Sequence, residues 1–493
     1  MPESHSEVSP RSASVEVIPG GSVHGTIRPP GSKSLTNRAL ICAAFADGPS
    51  ILRGALRSED TEVMIEALAS IGVQVSVADG GRTLSVTGKR AAGDPAEPLS
   101  STGSRQLELY IANSGTSIRF LAAALSAAGG SFRLHGVDRM HQRPIGDLVA
   151  AVEPVIDGTI VAINPDGCPP VEIRSAGWVG REIEVAGAVS SQYLSGLMMA
   201  APIATAQNSS NSNAASQNAA APDSPTSHVA ADQECGGDMR IAVLGELVSR
   251  PYVDMTAEVM RSFGAVVEVQ ETGLRSGESL SVVIAEQGYR GTDYLIEPDA
   301  SAASYFWATA AITGGEITVE GLNRDAMQGD VGFCEALRQM GCDVTYGDEA
   351  ITVVGKPLKG IDIDMNQISD TVQTLAVVAL FADGPTRVRG VAHNRFKETD
   401  RIGDLACEIR KLGAEVDEHE DGLTIRPPNE SSLLHGATLE TYHDHRMAMS
   451  LSLAGLRIEG VRILDPSCTS KTYPEYFHDL ERLIGRAHRW HSA

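Results

Sequence analysis

Lys33, Arg38, Arg143, Lys397, Arg401, Arg446 and Lys471 each stand beside hydroxyl, amide or carboxyl side chains, in or near short polar clusters that open apolar runs. Six such clusters lie directly ahead of Ala- and Leu-rich segments: SKS at 32–34, NSGT at 113–116, SSQ at 190–192, DAS at 299–301, SD at 369–370 and DHR at 444–446. Ser, Asp and Asn in that position mark a helix N-terminus, where unpaired N–H groups and the positive dipole end favour anions. One such site is ordinary. Six on one chain point to the chemistry of holding a very anionic ligand, with Asp370 and Glu398 (of KETDR, 397–401) as carboxylates among the cations.

Taken singly, each motif also has a plainer reading. PPGSKSLTNR puts Lys33 and Ser34 at a helix start and Arg38 about one turn on, which also describes a capped helix with surface cations. NSGTSIR carries a glycine that admits close backbone approach, or is only a turn. HQRPIGD holds Arg143 extended ahead of Pro144, as for any exposed arginine. SSQ and SRPY (249–252) offer hydroxyls, an amide and a phenol for a phosphate, or are two N-caps. KETDR sets Lys397 and Arg401 around Glu398, with Thr399 or Asp400 able to cap a helix; an ion-pair cluster looks the same. In HDHRMAM two histidines flank Asp444, but i, i+2 ligands without further carboxylates or thiols make a poor metal set. Asp444 is expected to cap a helix and Arg446 to face an anion.

The elements that position these residues recur. Lys33 to Asn113 is 80 residues, Asn113 to Ser190 is 77, Asp299 to Asp370 is 71 and Asp370 to Asp444 is 74. The 109 residues from Ser190 to Asp299 contain a Ser/Asn/Ala tract at 205–237, expected to be a disordered insertion after a helix ending near Ala204. FADGPSILRG (45–54) and FADGPTRVRG (381–390) agree at seven of ten positions, and each leads into an acidic-start helix closed by glycine. The period therefore reads as six strand–helix–strand–helix–strand–strand units.

A chain of 493 residues implies at least two domains. The formal net charge of −23 argues against nucleic acid or an anionic membrane as partner. No apolar stretch reaches a membrane span, and the tail at 1–14, expected to be disordered, lacks the apolar core of an export signal. Seven scattered cysteines form no CxxC, so a reduced, cytoplasmic protein is expected.

In order along the chain, PGSKSLTNRAL, NSGTSIR, QRPIGDL, SSQYL, SRPYVDMT, FKETDRI, DHRMAM and CTSKTYPEYF resemble the 5-enolpyruvylshikimate-3-phosphate synthase family from about residue 15 to 485. The resemblance implies an α/β fold of two domains, an inside-out α/β barrel with three repeats per domain and the active site in the interdomain cleft. One domain would comprise 1–30 with 298–493, the other 31–297. The implied reaction moves the enolpyruvyl group of phosphoenolpyruvate to the 5-hydroxyl of shikimate 3-phosphate, through a tetrahedral intermediate, with release of phosphate. It needs no metal or organic cofactor, and a monomer is expected.

Carried over by motif, Ser34 and Arg38 would hold the carboxylate and hydroxyl end of shikimate 3-phosphate. Ser190, Ser191, Ser249 and Tyr252 would take its phosphate, with Lys397, Gln192 and His393 also on that substrate. Lys33, Arg143, Gln192, Arg401, Arg446 and Lys471 would surround phosphoenolpyruvate, together with Asn113, Gly115 and Thr116 of the NSGT turn. Asp370 would accept the 5-hydroxyl proton, and Glu398 or Lys33 would protonate carbon. Two positions depart from the family pattern: Phe120 replaces a common proline, and His393 a common asparagine. The sister family acting on UDP-N-acetylglucosamine typically has a Lys-Asn pair in the first motif and a reactive Cys or Asp in the loop that is RMHQRP here. RNA 3′-phosphate cyclase shares the repeats, but a basic, aromatic-studded face is missing. A non-catalytic anion binder would need no Asp370 and Glu398 among its cations.

Overall fold

The computed structural model describes residues 14–88, 106–187, 190–218 and 237–492. Twelve α-helices are present among them: α1 Lys33–Ala44, α2 Glu59–Ser70, α3 Gly115–Ala128, α4 Gly146–Val152, α5 Ser191–Asn218, α6 Pro251–Ser262, α7 Ala300–Thr313, α8 Phe333–Gln339, α9 Val372–Ala379, α10 Gly403–Arg410, α11 His445–Ser452 and α12 Tyr476–Ile484. Contacts divide the chain into two units. The inserted unit is Lys33–Ile296, and the flanking unit combines the residues up to Ser32 with those from Glu297 onward.

Each unit contains three four-stranded sheets of one design, with one parallel pairing followed by two antiparallel ones. In the inserted unit the parallel pairs are Asp293–Leu295 with Pro49–Arg53, Leu107–Tyr110 with Gly130–His135, and Glu182–Ala186 with Met239–Leu244. In the flanking unit they are His24–Ile27 with Glu316–Glu320, Asp362–Asp364 with Thr386–Arg389, and Thr438–Leu439 with Arg462–Leu464. The six units predicted from spacing are thus six sheets. The twin FADGP segments even repeat their backbone: Gly48 and Gly384 have φ of 89° and 85°, and Gly54 and Gly390 have 73° and 78°. Those values favour glycine because it has no Cβ.

The odd-numbered helices follow the polar clusters and carry the core. Every residue of α3, α9 and α11 is buried, as are Ala300–Ile312 of α7. A helix that is apolar all round must be enclosed. The even-numbered helices are mostly amphipathic and cover the sheets from the solvent side; in α6, Val253, Ala257 and Met260 are buried while Asp254, Glu258 and Arg261 are not.

Two expectations need correction. The helix that opens at SSQ does not end near Ala204 but runs to Asn218, so 205–218 is helical and not a disordered tract. Extending a formed helix costs far less than starting one, and Ala and Gln in this stretch are adequate helix formers. Residues 219–236 of the expected insertion lie outside the described residues. So do 1–13 of the expected tail, whereas Ser14 already pairs with Leu464 and His491 in a sheet. No helix among the described residues is long and apolar enough to cross a membrane.

Candidate active site

All six clusters sit at helix starts. Ser114 caps α3 by accepting from the Ser117 N–H at 3.3 Å, Asp299 caps α7 through Ala302 N at 2.8 Å, and Asp444 caps α11 through Arg446 N at 2.8 Å. Ser190 Oγ accepts from Gln192 N at 3.2 Å ahead of α5. α1 begins at Lys33 itself, one residue before Ser34, and Asp370 precedes α9 in a short 3-10 turn. Several of these starts are reached through left-handed backbone at non-glycine residues: Ala112 (φ 46°) before Asn113, Ser249 (φ 56°) before α6, and Tyr442 and His443 (φ 54° and 55°) before Asp444. Each costs on the order of 1–3 kcal/mol, a strain that surrounding packing sustains at sites of this kind.

In the inserted unit the motif residues Arg38, Arg119 and Arg143 bond to neutral oxygens. Arg38, 1% exposed, donates from Nε to Thr256 Oγ1 at 2.7 Å, from Nη1 to Ser34 O at 3.0 Å, and from Nη2 to Ser195 Oγ at 3.1 Å and Tyr252 O at 3.4 Å. Its guanidinium also lies over the rings of Phe120 and Tyr252, so the departing Phe120 packs against a cation. Burial pushes the Arg38 pKa down to about 10, which leaves it charged at neutral pH. Arg38 therefore ties α1 to α5 and α6 as well as lying in the first motif. Arg143 Nη1 donates to Asn113 O at 2.9 Å. A Cβ on Gly115 would stand 2.2 Å from Arg143 Nη2, so a larger residue there would displace that guanidinium. Arg119 Nη1 donates to Gln192 Oε1 at 2.6 Å, and Gln192 Nε2 reaches Thr116 Oγ1 at 3.3 Å. Pro144 O accepts from Arg119 Nη2 and from Tyr193 Oη, pinning the HQRPIGD loop to α3 and α5. Ser191 and Ser249 are buried, and Tyr252 is half-buried at the start of α6. Lys33 Nζ lies 3.3 Å from Asp60 Oδ2.

In the flanking unit cations meet carboxylates. Arg401, 2% exposed, holds Asp444 through both oxygens (2.7 and 3.2 Å), Glu398 Oε2 at 2.6 Å and Asp370 Oδ1 at 3.4 Å. Burial opposes its charge, but Asp444 and then Glu398 outweigh that and raise its pKa above the usual arginine value. Arg446 Nη2 donates to Asp370 Oδ2 at 2.6 Å, and Nη1 to Asp370 O at 3.1 Å. Lys471 Nζ lies 3.2 Å from Glu398 Oε1, so that carboxyl spans two cations. KETDR is not helical; Asp400 Oδ1 accepts from Ile402 N and Gly403 N, both at 3.0 Å, and so leads into α10. Lys397 is half-buried at the end of the turn that carries His393, and burial followed by the Lys397 charge pushes the His393 pKa down to about 3. That imidazole is neutral at physiological pH. Of the two histidines around Asp444, His443 pairs with Asp465 at the surface and His445 is buried.

Several positioning residues escaped the sequence reading. Asn394 Nδ2 donates to Ser369 O at 2.9 Å and so fixes the turn before Asp370; its only signal was its place beside His393. Ser301 accepts from Arg446 Nη2 at 3.4 Å, although DAS had marked a helix start. Arg119 stood inside a quoted motif, but its partners Pro144 and Gln192 are 25 and 73 residues away; Asp60 and Asp330 meet Lys33 and Ser301, 27 and 29 residues away.

Comparison with known proteins shows the family. The family profile described as EPSP synthase (3-phosphoshikimate 1-carboxyvinyltransferase) matches residues 17–219 and 234–480. The 3-phosphoshikimate 1-carboxyvinyltransferase of Colwellia psychrerythraea is 40% identical over 466 residues, 94% of this chain and 98% of that protein. The protein of the same name from Burkholderia lata is 42% identical over 476 residues, 95% and 99% of the two chains. Among solved structures, EPSP synthase from Acinetobacter baumannii superposes with a TM-score of 0.71 at 25% identity, covering 97% of this chain and 99% of that one.

Proposed function

The chain belongs to the EPSP synthase family, and from that premise we propose how its residues divide the reaction. The protein is a transferase: it moves the enolpyruvyl group of phosphoenolpyruvate to the 5-hydroxyl of shikimate 3-phosphate and releases phosphate, a step of the shikimate pathway to aromatic amino acids.

Asp370 takes the proton of the 5-hydroxyl as that oxygen attacks C2 of the donor. Glu398 or Lys33 delivers a proton to the methylene carbon, giving a tetrahedral intermediate that carries both substrates. Loss of phosphate with a proton from the new methyl group restores the enol ether. The observation that carries this reading is the alternation Asp370–Arg446 and Glu398–Lys471 around Arg401, which sets proton-carrying carboxylates among fixed cations. Arg401, Arg446 and Lys471 oppose the negative charge of phosphoenolpyruvate, aided by Lys33, Arg143, Gln192 and the Asn113–Gly115–Thr116 turn. Ser190, Ser191, Ser249 and Tyr252 take the phosphate of shikimate 3-phosphate, with Ser34, Arg38, Gln192, His393 and Lys397 on the rest of it. Each substrate carries several negative charges and does not cross membranes unaided, which supports a cytoplasmic location; the net charge of −23 supports a monomer without nucleic-acid or membrane partners.

The test is phosphate release from phosphoenolpyruvate with shikimate 3-phosphate or UDP-N-acetylglucosamine as acceptor. Release with the first alone is expected. Release with the sugar nucleotide overturns the acceptor site, and silence with both overturns the enzymatic reading.

A further inference from the structure

Asp330 lies outside the residues assigned above, yet it is built into their support. It sits in the 3-10 turn Gly329–Gly332 and is 5% exposed. Its Oδ2 accepts a hydrogen bond from Ser301 Oγ, while its Oδ1 is buried with no hydrogen-bond partner. A buried carboxylate oxygen left unpaired is costly, so the position calls for a reason. The same Ser301 Oγ accepts from Arg446 Nη2, and that nitrogen holds Asp370 Oδ2. Asp330, Ser301, Arg446 and Asp370 therefore form one line, with a carboxyl at each end.

We propose that Asp330 is a positioning residue for Arg446: through Ser301 it fixes the guanidinium, and its own charge sets how strongly Arg446 attracts the anionic donor. The proposal rests on the assignment of Arg446 to phosphoenolpyruvate. The neighbours of Asp330 allow its charge to change near neutrality. Burial pushes its carboxyl up to about 7, the Asp370 charge and, more weakly, Asp299 add to the rise, and Arg446 and the Ser301 hydroxyl oppose it. On α8, which packs against the same turn, Glu335 and Arg338 neutralise one another at 2.8 Å. Below its pKa Asp330 is neutral and adds no charge behind Arg446. Above it a second carboxylate draws on Arg446, and the donor is held less tightly.

The experiment compares KM for phosphoenolpyruvate in the wild type and Asp330→Asn from about pH 6 to about pH 8.5. The ratio of the two constants cancels the donor's own ionisation. It is expected to be near one at the acid end and to rise about fivefold at the alkaline end, as one charge is added behind Arg446. A ratio independent of pH overturns the proposal. Ser301→Ala provides a second route should Asp330→Asn fail to fold. Without the hydroxyl the Asp330 carboxyl titrates higher, so the rise in KM is expected to move to higher pH, and an unmoved curve overturns the proposal. Arg446→Lys separates the two readings. Unchanged KM for phosphoenolpyruvate in that variant removes Arg446 from the donor site, whereas a raised KM there with a flat Asp330→Asn ratio removes Asp330 alone.

Discussion

The two units use the same repeat and treat the arginines of their site motifs in opposite ways. In the inserted unit Arg38, Arg119 and Arg143 bond to backbone carbonyls, hydroxyls and an amide, none of which cancels their charge. In the flanking unit Arg401, Arg446 and Lys471 are matched by Asp370, Glu398 and Asp444. A cation held by neutral oxygens is a fixed positive potential, suited to grip an anion. A cation held by carboxylates sits among groups that can accept or release protons. The fold repeats six times, whereas among the motif residues the cation–carboxylate pairs are concentrated in the flanking unit. The difference was created by placing acids at helix starts in the flanking unit and hydroxyls in the inserted one.

The sharpest way to break that comparison is Asp370→Asn. Substrate binding is expected to persist while turnover falls by about a thousandfold, the usual worth of a positioned base. Calorimetric titration of shikimate 3-phosphate and rapid-quench phosphate release separate the two; wild-type turnover would refute the assigned base and the division of labour with it.

Stability offers a second contrast. Arg401→Met leaves Asp444 and Glu398 buried without their cation and is expected to cost about 3–5 kcal/mol. Arg38→Met strands Thr256 and Ser195 hydroxyls, which can turn to each other at 2.9 Å, and is expected to cost about 1–3 kcal/mol. Urea titrations of both variants should rank them in that order, and the reverse ranking would mean that Arg38 answers charges other than those described.

What the sequence disclosed follows from which interactions are local. A cap and its first turn span four residues, so Ser114, Asp299 and Asp444 could be read directly. The sheets are different. Asp293–Leu295 pairs with Ile51–Arg53 across some 240 residues, and no local pattern records that partnership. The fate of Arg38 was hidden for the same reason, since Thr256 is 218 residues away. Asp330 belongs to none of the quoted motifs; its ties to Arg446, through Ser301 and through charge, span 29 and 116 residues. The end of α5 was misjudged because polar composition was weighed above the ease of extending a helix already formed.

His393 tests whether the flanking unit tolerates a titrating group beside its cations. Its pKa is held near 3 in the fold against about 6.5 in the unfolded chain, so the unfolded state binds the extra proton as pH falls. Stability from this group is complete above about pH 6.5 and is lost progressively toward pH 3. His393→Asn removes that term. The variant is expected to resist acid better between those limits while its stability at about pH 8 changes little. Identical acid-unfolding midpoints for both proteins would place the imidazole in a more solvated setting.

The smallest effect is expected where the inserted unit departs most from its repeat. The site end of α5 is Ser190–Gln192, and at ~1.5 Å per residue Thr205 lies about 20 Å further along the axis. The family profile matches 17–219 and 234–480 and passes over 220–233. Deleting 206–236 and joining Thr205 to Gly237 is therefore expected to leave turnover within about twofold, because the deletion spares every capping contact of the helix start. A loss beyond tenfold in phosphate release, with urea stability retained, would place the tract over the substrates and make this unit more than a static cradle.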